Sequence, residues 1–202
     1  MKKTIGVALL LAVVTAPLGS QSTVPEVRKD SDQPAHRGAC GMPYGKGFWF
    51  SFCAPKGWIV DNSTARNAGL EAVVYPAGSS WDAARRSGTF MYYNTSQKND
   101  ETSTVSQLMV ADAAEVKRDA QSAVVKRGEP IRIGGMDVPV QLFAPGGFNR
   151  FEAVAYFDSP KVIIMFIMTS ISEDIFKRDY ESFVRFVQSY KFQGTDVIIK
   201  EK

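Results

Sequence analysis

The hydrophobic positions of this chain change their spacing twice. From Ile5 to Leu18 nearly every residue is apolar, behind Lys2 and Lys3 and ahead of the small residues Gly19, Ser20 and Ser22. A positive start, a short apolar core and a small-residue exit predict a secretory signal over residues 1–22. The apolar core of 14 residues is shorter than the roughly 20 that a spanning helix needs. The mature chain is therefore expected to be periplasmic or secreted, with no stable membrane span. Residues 23–46 lose all periodicity and carry Pro25, Pro34, Gly38, Gly41, Pro43 and Gly45, which reads as a flexible linker. From 47 to 193 the periodicity returns and predicts one domain, and 194–202 form a polar tail.

Within the domain the period alternates between two and 3.6. Phe48–Cys53 predicts a strand stopped by Pro55-Lys56-Gly57, and Trp58-Ile59-Val60 resumes after the turn. Glu71–Tyr75 and Thr89–Asn94 are rich in β-branched and aromatic residues and predict two more strands, with a short helix over Ser80–Arg86 between them. Thr104 and Gln107 stand at capping-box spacing and open a long helix. Val105, Met109, Ala113, Val116 and Ala120 give it an apolar face, with Asp112, Glu115 and Asp119 on a solvated one. Four strands follow, at about 123–133, 137–143, 148–157 and 161–169. Gly134-Gly135, Pro145-Gly146-Gly147 and Asp158-Ser159-Pro160 connect them, and connections that short predict an antiparallel meander. Val162 to Met168 has no polar residue, as in a strand covered on both faces. A second capping box, Ser170 to Glu173, opens a helix with an apolar stripe of Phe176, Tyr180, Phe183, Val184 and Val187. Its wet side pairs Asp174 with Arg178 and Glu181 with Arg185. The predicted class is α+β: an α/β/α sandwich with a central, mostly antiparallel twisted sheet and helices on both faces.

Export changes how the two cysteines read. An oxidising compartment favours joining Cys40 to Cys53, closing a loop worth about 3 kcal/mol in the chain-entropy picture. The other reading keeps Cys53 as a free thiol in its apolar run. Catalytic constellations are scarce. The one histidine, His36, lies in the linker, so no Ser-His-Asp or Cys-His arrangement is expected. Asp112, Glu115 and Asp119 read as a solvated helix surface beside Lys117 and Arg118. Gly134-Gly135 and Gly146-Gly147 are followed by strands, so they read as hairpin turns and not phosphate loops. Met165 and Met168 fit a core strand better than a metal site. No cofactor, metal site or catalytic residue is therefore expected. Asn62-Ser63-Thr64 and Asn94-Thr95-Ser96 match the glycosylation triplet.

The strand and turn Phe50-Ser51-Phe52-Cys53-Ala54-Pro55-Lys56-Gly57-Trp58 is similar to the opening F-x-x-P-x-G-W pattern of the PsbP-like superfamily, which also contains DcrB-like envelope domains. Phe183 to Phe192 resembles that superfamily's closing helix and short strand. The resemblance spans about residues 47–193. It implies the fold and a non-enzymatic binding or scaffolding role. The superfamily includes an extrinsic photosystem II subunit and a small-GTPase-binding import factor, so fold does not fix partner.

Composition sharpens this in one respect. The chain has 202 residues, with 24 Lys+Arg against 21 Asp+Glu, for a net charge of +3. Residues 1–22 contribute +2 of that, the linker +1, and 47–193 are balanced with 16 of each sign. The basic doublets are interleaved with acids, so nucleic-acid binding is not expected. The leading expectation is an exported, non-enzymatic binding domain with an unidentified envelope partner. The alternative is a carrier of a small apolar ligand in a pocket lined by Trp49, Trp58, Trp81, Phe90, Tyr92 and Tyr93. A hydrolase is the third reading, and it requires clustered ionisable groups with perturbed pKa values.

Overall fold

The structure is a computed structural model that describes residues 37–145 and 150–195. Its elements, in chain order, begin with three two-residue strands: β1 (Arg37–Gly38), β2 (Cys40–Gly41) and β3 (Tyr44–Gly45). β4 (Phe48–Cys53), β5 (Trp58–Asp61), a 3-10 turn (Ala65–Ala68), β6 (Val73–Pro76), α1 (Trp81–Ser87) and β7 (Thr89–Gln97) follow. Then come α2 (Val105–Asp119), β8 (Val124–Arg127), β9 (Ile131–Ile133), β10 (Met136–Val138), β11 (Val140–Ala144) and β12 (Phe151–Asp158). The chain closes with β13 (Val162–Ser170), α3 (Glu173–Gln188) and β14 (Lys191–Gly194).

Eight strands form one sheet in the order β1-β5-β6-β7-β13-β12-β11-β8, each pair antiparallel. The class is α+β. Every residue of β13 is buried, because β7 and β12 flank it and both of its faces are covered. Its side chains divide with the period of two that a strand imposes. Val162, Ile164, Phe166 and Met168 join a cluster with Phe183, Phe186 and Val187 of α3. Ile163, Met165 and Ile167 join a second cluster with Leu108 and Met109 of α2. Ala84 of α1 packs with Val73, Tyr75 and Phe90 in a third. Among the described residues no helix is long and apolar enough to cross a membrane.

A smaller sheet is layered onto the α3 side. β4 pairs with β14 along one edge and with β2 and β3 along the other. Phe48, Phe50 and Phe52 are buried from β4, while Trp49, Ser51 and Cys53 alternate outward and are half-buried. Phe52 meets Phe186 edge-on at 5.3 Å, and Phe166 stacks on Phe186 at 4.5 Å. Cys40 stands opposite Cys53 in register, and the two form a disulfide. Ser189 Oγ accepts from Cys53 N at 2.9 Å, tying β4 to the end of α3.

The expected elements are present, with differences that have local causes. β1, β2 and β3 lie inside the stretch read as a linker, because two-residue strands are too short to show alternation. The strand expected over 123–133 is divided at Gly128-Glu129-Pro130, since proline brings no N–H to a ladder. Pro139 likewise separates β10 from β11, leaving β9 and β10 as a hairpin of their own around Gly134, whose φ is 59°. The first capping box forms as expected between Thr104 and Gln107. The second does not: Ser172 caps α3 by accepting from Ile175 N, while Ser170 stays in β13 and bonds Thr89 at 2.6 Å. Glu181 pairs with Arg185 at 2.6 Å as expected, but Arg178 turns to Asp179 at 2.8 Å, and Glu173 takes Lys177 at 2.7 Å. The signal over 1–22, His36, the Gly146-Gly147 turn and residues beyond 195 lie outside the described residues.

Candidate functional site

Two of the buried carboxyls, Asp112 and Glu152, lie where β12 faces α2. Glu152, Val154 and Tyr156 step along one face of β12, flanked in register by Thr169 of β13 and by Phe143 of β11, with Gln141 opposite Val154. Two polar clusters result, separated by the apolar contacts of Leu108, Met109, Phe143 and Val154.

The first cluster centres on Tyr156. Its hydroxyl lies 2.9 Å from Asp112 Oδ2 and 3.1 Å from Gln141 Oε1, and one proton serves both acceptors. Asp112 is 5% exposed, which corrects the expectation of a solvated face. The buried stripe of α2 runs through Leu108, Met109 and Asp112, so the aspartate sits four residues after one core side chain and three after the other. Burial pushes its carboxyl up to about 6, the charge of Glu115 adds to the rise, and the Tyr156 hydrogen bond opposes it. Tyr156 is itself pushed above the ordinary tyrosine range, first by burial and then by Asp112. Glu115 and Asp119 do not join this site, since both engage Arg118, at 3.4 and 3.1 Å.

The second cluster centres on Glu152. Thr169 Oγ1 donates to its Oε1 at 2.9 Å. Burial raises the pKa of this carboxyl, opposed by the Thr169 bond and by the nearby charge of Arg150. Arg150 enters from just ahead of β12. Its Nη2 donates to the Arg85 carbonyl at 2.8 Å, and its guanidinium lies 5.9 Å from the Phe90 ring centre. Its Nη1 is enclosed and has no hydrogen-bond partner among the described residues. A cleft lined by Val116, Ala123, Phe143, Pro145, Arg150 and Glu152 opens beside it, with a volume of about 20 Å³. That admits about one water molecule.

Chemically, the site offers two carboxyls whose pKa values burial raises, each bonded to a hydroxyl, and one guanidinium nitrogen that has no acceptor among the described residues. Among the described residues no group of three or more His, Cys, Asp or Glu is placed to hold a metal ion. A third buried carboxylate, Asp61, is structural. It accepts from the Ser63 amide at 2.8 Å, the Ser63 hydroxyl at 2.6 Å, the Thr64 hydroxyl at 2.9 Å and the Tyr75 hydroxyl at 2.6 Å. Burial works to raise its pKa, yet these bonds outweigh it and hold the group well below the usual carboxylate range.

The aromatics considered for a ligand pocket mostly pack against one another. Trp81 meets Phe90 edge-on at 4.9 Å, Phe90 stacks on Tyr92 at 5.9 Å, and Tyr93 meets Phe50 edge-on at 5.2 Å. Trp58 leans on the α3-side core, and Trp49 stands on the outer face of β4. Asn94 is half-buried in β7, with its Oδ1 bonded to Thr95 N at 2.8 Å. Arg150, Glu152 and Tyr156 escape pattern reading. The available signal is the lone acid inside the apolar strand Phe151 to Phe157.

No family model matches the chain, and no curated protein matches it in sequence. Comparison of folds finds the solution structure of cyanobacterial PsbP (CyanoP) from Synechocystis sp. PCC 6803. The two share 15% identity at a TM-score of 0.50, covering 88% of this chain and 100% of that one. The chain has a PsbP-like fold.

Proposed function

We propose that this protein is an exported, non-enzymatic binding domain of the cell envelope, framed by a PsbP-like α/β/α sandwich over residues 47–193. The observation that carries this reading is how the buried polar groups are committed. Asp112 is bonded to Tyr156, and Glu152 to Thr169, whereas Nη1 of Arg150, beside the cleft, has no hydrogen-bond partner among the described residues. The cleft has room for about one oxygen atom beside that donor, and in this reading the atom is a carboxylate or carbonyl oxygen of another molecule in place of a water. The Cys40–Cys53 disulfide supports an oxidising compartment, in keeping with a signal at 1–22. A carrier of a small apolar ligand needs a cavity of about 300 Å³ or more, and the cleft at Arg150 is far smaller.

The test is affinity capture by the mature protein from its own envelope fraction, run in parallel with Arg150→Ala. Reproducible enrichment of one component by the wild type, lost with Arg150→Ala, supports the reading. Enrichment that is equal for both proteins, or absent for both, overturns it.

A further inference from the structure

We propose that the outer face of the small sheet is a docking surface for anionic lipid bilayers. This rests on a different layer from the Arg150 cleft and does not depend on it. The face is built by strand alternation. Gly41 and Gly45 sit over the rings of Phe52 and Phe48, so Met42 and Tyr44, each one residue from a glycine, point the other way. Met42 is 60% and Tyr44 43% exposed. Tyr44 stands opposite Trp49 in register, and Lys191 stands opposite Ser51. Met42, Tyr44, Trp49 and Lys191 therefore share one outward surface.

Its charge is one-sided. Residues 39–58 and 189–195 contain Lys46, Lys56 and Lys191 and no aspartate or glutamate. All three lysines are exposed, and among the described residues none of them forms an ion pair. Elsewhere on the domain, exposed bases are interleaved with acids and several are paired. Lys46 lies on the β3–β4 turn, Lys56 on the β4–β5 turn and Lys191 between them, so positive charge borders the apolar residues.

Tyrosine and tryptophan favour the zone between headgroups and acyl chains, where one end of the ring is wet and the other apolar. Lysines at the rim attract anionic headgroups, each strengthening adsorption about fivefold. The surface is the outside of a sheet, which suits a planar partner. Its firmness comes from the disulfide. β2 and β3 have two residues each, and the Cys40–Cys53 bond pins the segment that carries Met42 and Tyr44 against β4.

Flotation with vesicles of phosphatidylglycerol, compared with phosphatidylcholine, tests the proposal on the mature protein. The doubly substituted Lys46→Gln, Lys191→Gln protein is expected to bind phosphatidylglycerol about 25-fold more weakly. Both positions are exposed, so the fold is expected to persist, checked by circular dichroism. Brominated lipid is expected to quench tryptophan fluorescence in the wild type, and Trp49→Phe to remove most of that quenching while Trp58 and Trp81 still emit. Equal binding to both lipids overturns the proposal, as does binding that ignores the lysines or leaves Trp49 unquenched. Lysine-dependent binding to polyglutamate without vesicle binding also overturns it, in favour of an acidic protein partner. Capture through Arg150 is read out separately, so either idea can fail alone.

Discussion

Replacing Asp112 with asparagine is expected to stabilise the protein at neutral pH and to do little in acid. The carboxyl moves from its ordinary 3.8 to about 6 on folding. At about 1.4 kcal/mol per pH unit, that difference corresponds to roughly 3 kcal/mol as an upper bound. The sign follows from linkage. A group whose pKa is raised in the folded state favours folding fully below its unfolded pKa, and that contribution is lost as pH rises through the folded value. Below about pH 4 the side chain is neutral in both states, and Asp112→Asn is nearly silent. Between about 4 and 6 the wild type loses stability that the variant keeps, and above that the gap is complete. Asparagine retains an oxygen to accept from the Tyr156 hydroxyl, so the geometry at 2.9 Å is preserved. Urea unfolding of both proteins across pH 4 to 8 measures the gap, and in thermal scans it is expected to reach about 6–12 °C at neutral pH. Tyr156→Phe removes the one bond that opposes the rise, so its stability profile is expected to fall at higher pH. A gap that does not change with pH, or an asparagine variant less stable at pH 7, would refute the reasoning.

Three further outcomes are expected. Alkylation of the unreduced protein should leave Cys40 and Cys53 unlabelled, and Cys40→Ser with Cys53→Ser should cost about 3 kcal/mol in denaturant unfolding; label on both native cysteines would contradict this. Phe166→Ala empties the middle of β13 against Phe186 and should cost about 3–5 kcal/mol, so a loss below about 1 kcal/mol would contradict the packing. Ser172→Ala removes the α3 cap and should cost about 1 kcal/mol, whereas Ser170→Ala should not change the helix start, as judged by amide exchange of Ile175.

The strands and helices that bury apolar residues were legible because their periods are enforced by the core. β13 has no polar residue from Val162 to Met168, and its neighbours cover both faces; the stripe on α3 from Phe176 to Val187 meets the same core. The short strands β1 to β3 left no pattern, since register with β4 and the disulfide define them. The site was harder to see. Asp112 reads as solvated because it is charged and lies one turn from Glu115, yet its position relative to Leu108 and Met109 turns it inward. Its partner Tyr156 is 44 residues away in sequence, and Arg150 meets the Arg85 carbonyl across 65. Pairings at that range depend on strand order, which local spacing does not encode.

The reading of a binding domain is tested most directly by the fate of whatever it captures. Calorimetric titration of the captured component against the wild type, Arg150→Ala, Asp112→Asn and Glu152→Gln, followed by its intact mass on release, gives both affinity and chemistry. The expected result is binding by the wild type and both carboxyl variants, loss of binding with Arg150→Ala, and an unchanged mass throughout. A component released chemically altered by the wild type, and unaltered by Asp112→Asn or Glu152→Gln, would contradict a non-enzymatic role.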